Sequence, residues 1–243
     1  MPEIDAIVPD WPAPARVRSI VTTRAGGVST GSYSSLNLGS RSGDDAAAVR
    51  ENRSRLRELL PAEPRWMRQV HGTQVIDAAR EPGEIEADAA VATVPRIVCT
   101  VLTADCLPVL ITDTAGLAVG IAHAGWRGLA CGIIENTIDA LGGGPDERIA
   151  WLGPAIGPQA YEIGEDVRAA FLARDPAAES AFRAVRPGHW MLDLYAVARQ
   201  RLAACGVRRV FGGDFCTYGE RERFFSHRRD GASGRMASMI WLE

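Results

Sequence analysis

Two apolar runs of six residues, Leu107 to Thr112 and Leu117 to Ala122, stand on either side of Asp113-Thr114-Ala115-Gly116. The four intervening residues have turn chemistry at both ends, so the segment reads as an antiparallel hairpin. In the simplest register Thr112 faces Leu117, and the same register puts Cys106 opposite His123. The two side chains then share one face of the sheet, with Cβ atoms roughly 4.5–5.5 Å apart. A metal ion can bridge that gap, and so can a Cys–His hydrogen bond. A one-residue bulge would send them to opposite faces.

The chain has four His. Besides His123, the one in the most distinctive setting is His71, in Gln69-Val70-His71-Gly72-Thr73. His71, Cys106 and His123 together supply two imidazoles and a thiolate with a fourth position open, the ligand pattern of a catalytic rather than a structural zinc. Cys106 and His123 are equally candidates for a nucleophile and its base. Asp105, beside the thiol, reads either as a general acid/base or as a group that orients a ligand. Glu162, in Tyr161-Glu162-Ile163-Gly164, is a second acid/base candidate, or a capping or solvent-facing residue.

All 27 basic residues are Arg. The absence of Lys excludes a Schiff-base or Walker lysine; a GC-rich codon bias explains it. Any bound anion must therefore be held by Arg, His, backbone amides or a metal, and the planar fork of Arg suits phosphate. Arg24, opening a Gly/Ser-rich segment, is the first candidate for phosphate and Arg229 the second, with Asn37 a candidate for ribose or base. Gly125 and Gly128, after His123, suggest a strand-to-helix turn with either amides for an anion or close packing.

A length of 243 residues, 47% hydrophobic content and a net charge of −3 describe an ordinary globular protein. No linker or domain boundary is visible, so residues 1–243 are expected to form a single domain. No basic stripe points to nucleic acid. No apolar run is long enough for a membrane span, and the start lacks the features of a signal peptide. Five Cys without a CxxC point to a reducing cytoplasm. A monomer or weak oligomer is expected.

The remaining elements follow from pattern. Strands are expected at 16–23, 65–70, 73–78, 97–102, 148–152, 207–211 and 236–242, with a turn at His71-Gly72. Helices are expected from Asp44 or Asp45 to about Leu60, at 165–173 and at 192–204. Another is expected after His123, where Trp126, Leu129, Ala130, Ile133, Ile134, Ile138 and Leu141 have helical spacing before three Gly. Hairpins beside helices predict an α+β fold with mixed or antiparallel sheets.

The chain resembles the YfiH family, also called the laccase-domain or multicopper polyphenol oxidase family or peptidoglycan editing factors. The matching segments include Thr22-Thr23-Arg24-Ala25-Gly26-Gly27, Ser35-Leu36-Asn37-Leu38-Gly39, Asn52-Arg53, Gln69-Val70-His71-Gly72-Thr73 and Ala87-Asp88-Ala89. They continue through Thr103-Ala104-Asp105-Cys106-Leu107-Pro108-Val109, His123-Ala124-Gly125-Trp126-Arg127-Gly128, Leu152-Gly153-Pro154, Phe224-Phe225-Ser226-His227-Arg228-Arg229-Asp230 and Gly234-Arg235-Met236-Ala237. The resemblance implies zinc on His71, Cys106 and His123, and an α/β/β/α fold related to cysteine hydrolases of the deamidase type. It also implies phosphorolysis of adenosine, inosine, guanosine and methylthioadenosine, with deamination of adenosine. The family often has Tyr where this chain has His227.

Counting residues weighs the alternatives. A His2Cys set also fits a mononuclear copper centre, but a laccase needs a trinuclear cluster built from more imidazoles than four His supply. The H-x-E and P-C-x-x-C signature of zinc deaminases is absent. An amide hydrolase acting on cell-wall precursors, with Cys106 as nucleophile, is the other enzymatic reading. A metal-carrying or partner-binding protein is the non-enzymatic one.

Overall fold

Two β-sheets packed face to face, each with helices on its outer side, arrange the chain in four layers, α/β/β/α. A computed structural model describes residues 4–81, 83–144 and 147–243. The first half runs β1 (Ala6–Ile7), β2 (Val17–Thr22), α1 (Ala46–Arg57), β3 (Pro64–Arg65), β4 (Val75–Asp77), β5 (Ala89–Ala92), β6 (Val98–Thr103), β7 (Leu107–Asp113) and β8 (Val119–Ala124). The second runs α2 (Trp126–Cys131), α3 (Ile133–Leu141), β9 (Arg148–Leu152), β10 (Glu162–Gly164), α4 (Glu165–Arg174), β11 (Phe182–Arg186), β12 (His189–Leu192), α5 (Leu194–Ala204), β13 (Arg209–Gly212), α6 (His227–Asp230) and β14 (Met236–Leu242). One sheet has the order β1-β2-β14-β6-β3 and the other β13-β9-β7-β8-β5-β4, with a small β10-β12-β11 sheet beside them. The pairing is mixed, mostly antiparallel, as the hairpin-rich pattern predicts.

Strand alternation divides the core into layers. Ile240 and Leu242 of β14 meet Leu110 of β7 and Ile121 of β8 between the sheets. Met239 and Trp241 of β14 face Leu56 of α1 on one outer side. Leu107, Val109 and Ile111 face α3 and α5 on the other. Because β7 and β8 are covered on both faces, they read in sequence as unbroken apolar runs rather than alternating ones.

The hairpin forms in a different register from the simplest one. Thr112 pairs with Val119, and His123 pairs with Pro108 rather than Cys106. The cause is Asp113, whose carboxylate accepts from the amides of Leu117 (3.0 Å) and Ala118 (2.6 Å). That capping lengthens the turn and leaves Leu117 60% exposed instead of in the ladder. The shift is two residues, which preserves facing. Cys106 and His123 therefore remain on the inter-sheet side, as diagonal rather than direct neighbours.

Other expectations are corrected. Of the strands expected at 65–70 and 73–78 only Pro64–Arg65 and Val75–Asp77 form, β3 pairing with β6 in one sheet and β4 with β5 in the other. The chain crosses between sheets at His71, so only short strands form there. The helix after His123 is two helices, broken at Gly132 (φ 103°), where a Cβ would stand 2.8 Å from the Arg174 guanidinium. Asp45 caps α1, accepting from Ala47 and Ala48 amides. No helix among the described residues is long and apolar enough to cross a membrane.

Tyr195, buried on α5, fastens the loops that follow β9 and β13. Its hydroxyl accepts from the Ala155 amide (2.9 Å) and lies 3.1 and 3.0 Å from the carbonyl oxygens of Gly153 and Phe215. Tyr195→Phe leaves a buried amide unpaired, a loss of about 1–3 kcal/mol. The expected outcome is a lower urea midpoint with an unchanged m value; an unaltered midpoint contradicts this role.

Candidate metal centre

The Sγ of Cys106, at the head of β7, and the ring nitrogens of His71 and His123 lie within 4.8 Å of one another. Cys106 Sγ is 3.8 Å from His71 Nε2, and the two imidazoles meet edge to face at 4.8 Å between centroids. His123 is buried, Cys106 half-buried and His71 exposed. The three donors thus converge where the inter-sheet space opens to solvent. Bond lengths of about 2.0–2.3 Å around a tetrahedral ion set donors roughly 3.3–3.6 Å apart. The Cys106–His71 edge is within a few tenths of that, and the soft sulfur with two imidazoles fits zinc or copper.

Asp88, wholly buried just before β5, holds two of the donors. Its carboxylate accepts from the amides of Val70 (3.1 Å), His71 (2.9 Å) and Gly72 (2.8 Å), and from His123 Nδ1 (2.7 Å). Its carbonyl accepts from the His123 amide (2.7 Å). Burial alone would raise the Asp88 carboxyl, but the His123 ring and the amides of Gly72 and Val70 outweigh it and hold it below the usual carboxylate range. The ionised carboxylate can only accept. His123 therefore keeps its proton on Nδ1 and presents Nε2 to the site, the carboxylate–histidine pairing typical of metal ligands. The same carboxylate pins His71 in the left-handed region (φ 60°).

Burial pushes the Cys106 thiol up, but the charge and hydrogen bonds of His123, then of His71, dominate and draw it down to about 6. Burial lowers His123, while Cys106 and Asp88 overcome it and raise the imidazole to about 9. The protein thus stabilises a thiolate, the form that ligates metal. Gly125 is required by proximity: a Cβ there would stand 2.8 Å from His71 Cδ2 and 3.0 Å from Cys106 Sγ. A Cβ at Gly128 would meet the Gly72 carbonyl at 2.8 Å, so this glycine pair serves close packing.

The donors open into a cavity of about 450 Å³, within the range of small-molecule sites. Met67, Leu102 and Ala104 give it an apolar wall, and four of the lining residues are Arg. His227 lines it too, on α6, while His189 pairs with Glu162 (3.1 Å) elsewhere. Gln69 fixes the approach to His71 by bonding both the amide (2.7 Å) and the carbonyl (2.8 Å) of Leu102.

The other residues singled out in the sequence are placed around this site rather than in it. The Asp105 carboxylate accepts from Thr217 Oγ1 (2.6 Å) and the Arg228 amide (2.7 Å), with its backbone at φ 89°. Glu162, on β10, is ion-paired with Arg186 (2.5 Å). Arg24 donates to Ser34 O (2.6 Å) and Arg221 O (3.1 Å) and lines a separate, open cavity of about 690 Å³. Arg229 donates to Thr217 O (2.7 Å), Phe224 O (2.9 Å) and Asp230. Asn37 is wholly buried: it donates to Ser42 and Asp44 and accepts from the amides of Gly39 and Arg235. Asp88 was visible only as part of Ala87-Asp88-Ala89, Arg53, Arg127 and Arg235 only as members of motifs, and Arg41 not at all.

Residues 18–243 match the family model described as multi-copper polyphenol oxidoreductase laccase. The chain is 52% identical over 239 residues to a purine nucleoside phosphorylase of Pseudomonas aeruginosa, covering 98% of each chain. It is 51% identical over 240 residues to purine nucleoside phosphorylase YfiH of Escherichia coli, covering 97% of this chain and 98% of that one. The crystal structure of a Neisseria meningitidis protein superposes with a TM-score of 0.95 at 51% identity, covering 98% of this chain and 99% of the other.

Asp88→Asn keeps the shape but loses the charge and one acceptor position. Metal affinity should fall roughly 10–100-fold, measured by competition with a chromogenic chelator; an unchanged affinity removes Asp88 from the centre. In metal-free protein, alkylation of Cys106 by iodoacetamide, followed by mass spectrometry, should rise with pH through about 6. In denaturant the rise should move to the ordinary thiol range near 8.5. Coincident profiles would mean the fold does not stabilise the thiolate.

Proposed function

The chain belongs to the multi-copper polyphenol oxidoreductase laccase family, and we propose that this member is a zinc-dependent purine nucleoside phosphorylase with a second, adenosine-deaminating activity. Its substrates are adenosine, inosine, guanosine, methylthioadenosine and inorganic phosphate. A phosphate oxygen takes C1′ of the ribose as the bond from C1′ to the purine nitrogen breaks, giving ribose 1-phosphate, and the base leaves with the proton that the phosphate gives up. The observation that carries the reading is the composition of one cavity: a His2Cys donor set, an apolar wall suited to a purine, and guanidiniums suited to phosphate.

In this reading His71, Cys106 and His123 hold the ion, which supplies Lewis acidity toward a substrate oxygen or water. Asp88 orients His123 and the His71 loop. Asp105 positions Cys106 by tying the head of β7 to Thr217 and to the start of α6. Asn37 shapes the cavity wall by accepting from the amides of Gly39 and Arg235, while Arg229 braces the loop after β13, and Arg24 and Glu162 act outside the cavity. Five free cysteines suit a reducing cytoplasm.

One observation favours a second reading. Cys106, His123 and Asp88 also form the line of thiol, imidazole and carboxylate that a cysteine amide hydrolase uses. Metal separates the two, because a sulfur pair given to zinc is not free to attack a carbonyl.

The test is phosphate-dependent release of free base from adenosine and inosine by metal-quantified protein, beside Cys106→Ala. Turnover with about one zinc per chain, both lost in the variant, is expected. Fully metallated protein that releases no base, while metal-free protein cleaves amide substrates, overturns the phosphorylase in favour of the hydrolase.

A further inference from the structure

The cavity wall sets four guanidiniums against one carboxylate and the Cys106 sulfur. Its lining includes Arg41, Arg53, Arg127 and Arg235 but one carboxylate, Glu84, which is paired with Arg41 (3.3 Å). Arg53 and Arg235 are half-buried and have no ion-pair partner among the described residues. Burial depresses both guanidiniums, so the fold holds two cations in partly dry surroundings. Such charges are ordinarily paired or bound to something.

Both are held in fixed poses by main-chain and aromatic contacts, which leave part of each fork free. Arg53, on α1, donates Nε to Leu38 O (2.9 Å), and its Cζ sits over the Trp66 ring, 3.9 Å from the centroid. Its Nη1 has no partner among the described residues. Arg235 donates Nη1 to Ser233 O (2.7 Å) and Gly234 O (2.9 Å), leaving Nε and Nη2 without one. The two flank the same short segment. Arg53 Nη2 is 3.4 Å from Ser40 Oγ, and a Cβ on Gly39 would stand 2.7 Å from Arg235 Cγ. Gly39 therefore gives the Arg235 stem its passage, and Asn37 fixes that segment to Arg235 by accepting from both amides (2.9 Å each).

We propose that Arg53 and Arg235, set on either side of Gly39-Ser40, form the anion subsite of this cavity and bind the phosphate of the phosphorolysis. The proposal rests on the phosphorylase reading for the role of the anion, and on the free N–H edges of two guanidiniums without ion-pair partners among the described residues for its place. Fixed forks with free N–H edges suit two oxygens of one tetrahedral anion. Arg24 and Arg229 have no such free edge directed into the cavity, because their donors are bonded to carbonyl oxygens and Asp230.

The test uses zinc-loaded Arg53→Lys, Arg235→Gln and Gly39→Ala beside the unaltered protein. Gly39→Ala keeps every charge and displaces only the Arg235 stem. Each should raise KM for phosphate at least about tenfold, the scale of a charged hydrogen bond, while KM for inosine changes less than about twofold. In parallel, inorganic phosphate at fixed ionic strength should raise the melting temperature of the unaltered protein and not of the Arg variants. If the protein phosphorolyses nucleosides and phosphate KM is unchanged in all three variants, the subsite is overturned while the phosphorylase stands. If it does not phosphorolyse, yet phosphate stabilises it and the Arg variants lose that effect, the subsite stands and the phosphorylase falls. If phosphate stabilises nothing and no KM moves, the subsite is overturned. Should Arg53→Lys fail to fold, the Arg235→Gln and Gly39→Ala arms decide.

Discussion

The site depends on one buried carboxylate. Asp88 sits in a dry position where an ion is costly, and four donors converge on its two oxygens: three consecutive amides of the His71 loop and the ring of His123. Hydrogen bonds to a charged group contribute about 1.5–3 kcal/mol each. Together they outweigh the roughly 1–2 kcal/mol cost of putting a non-glycine residue in the left-handed region. The chain can therefore turn sharply at His71 and cross between sheets there. One group fixes a loop from one part of the fold and a strand side chain from another, and so sets His71 and His123 on the same site.

The sheets supply the rest of the geometry. Strands buried on both faces cannot slip by one residue without exchanging two cores, one facing the opposite sheet and one facing the helices. A slip of two residues exchanges nothing. The hairpin's two-residue departure from its simplest register accordingly changed the partner of His123 and left its side of the sheet alone. This is why the Cys106–His123 pairing could be read from the sequence with the wrong ladder and the right face. The strands at 148–152 and 236–242 were legible to the residue for the same reason: their apolar runs end where both coverings end.

What stayed illegible has a common cause. Asp88, Arg53 and Arg235 differ from the chain's other acids and arginines only in what surrounds them, and those neighbours are distant in sequence. Asp88 is 17 residues from His71 and 35 from His123. Arg235 lies against Gly39 from the opposite end of the chain. Local pattern reports period and turn chemistry, and therefore finds β7, β8 and α5. It misses β10, β11 and β12, whose residues are mostly half-exposed or exposed, because no apolar period marks them. The split at Gly132 is illegible for another reason: helical spacing continues through it, and the left-handed backbone there and the Arg174 side chain from α4, which make the glycine necessary, appear only in the fold.

The metal and nucleophile readings compete for the same electron pair on Cys106, and His71 decides between them. A thiol–imidazole–carboxylate hydrolase needs Cys106, His123 and Asp88 and has no work for a second imidazole. Yet the fold devotes three Asp88 amide bonds and a left-handed backbone to bringing His71 Nε2 within 3.8 Å of the sulfur. Gly125 is kept free of a side chain where one would strike His71 and Cys106 together. A strained, exposed imidazole on the loop that crosses between the sheets adds nothing to the core, which the helices and sheets fill elsewhere. Its placement makes physical sense as the third donor to an ion, with the fourth position turned toward the arginine-lined cavity.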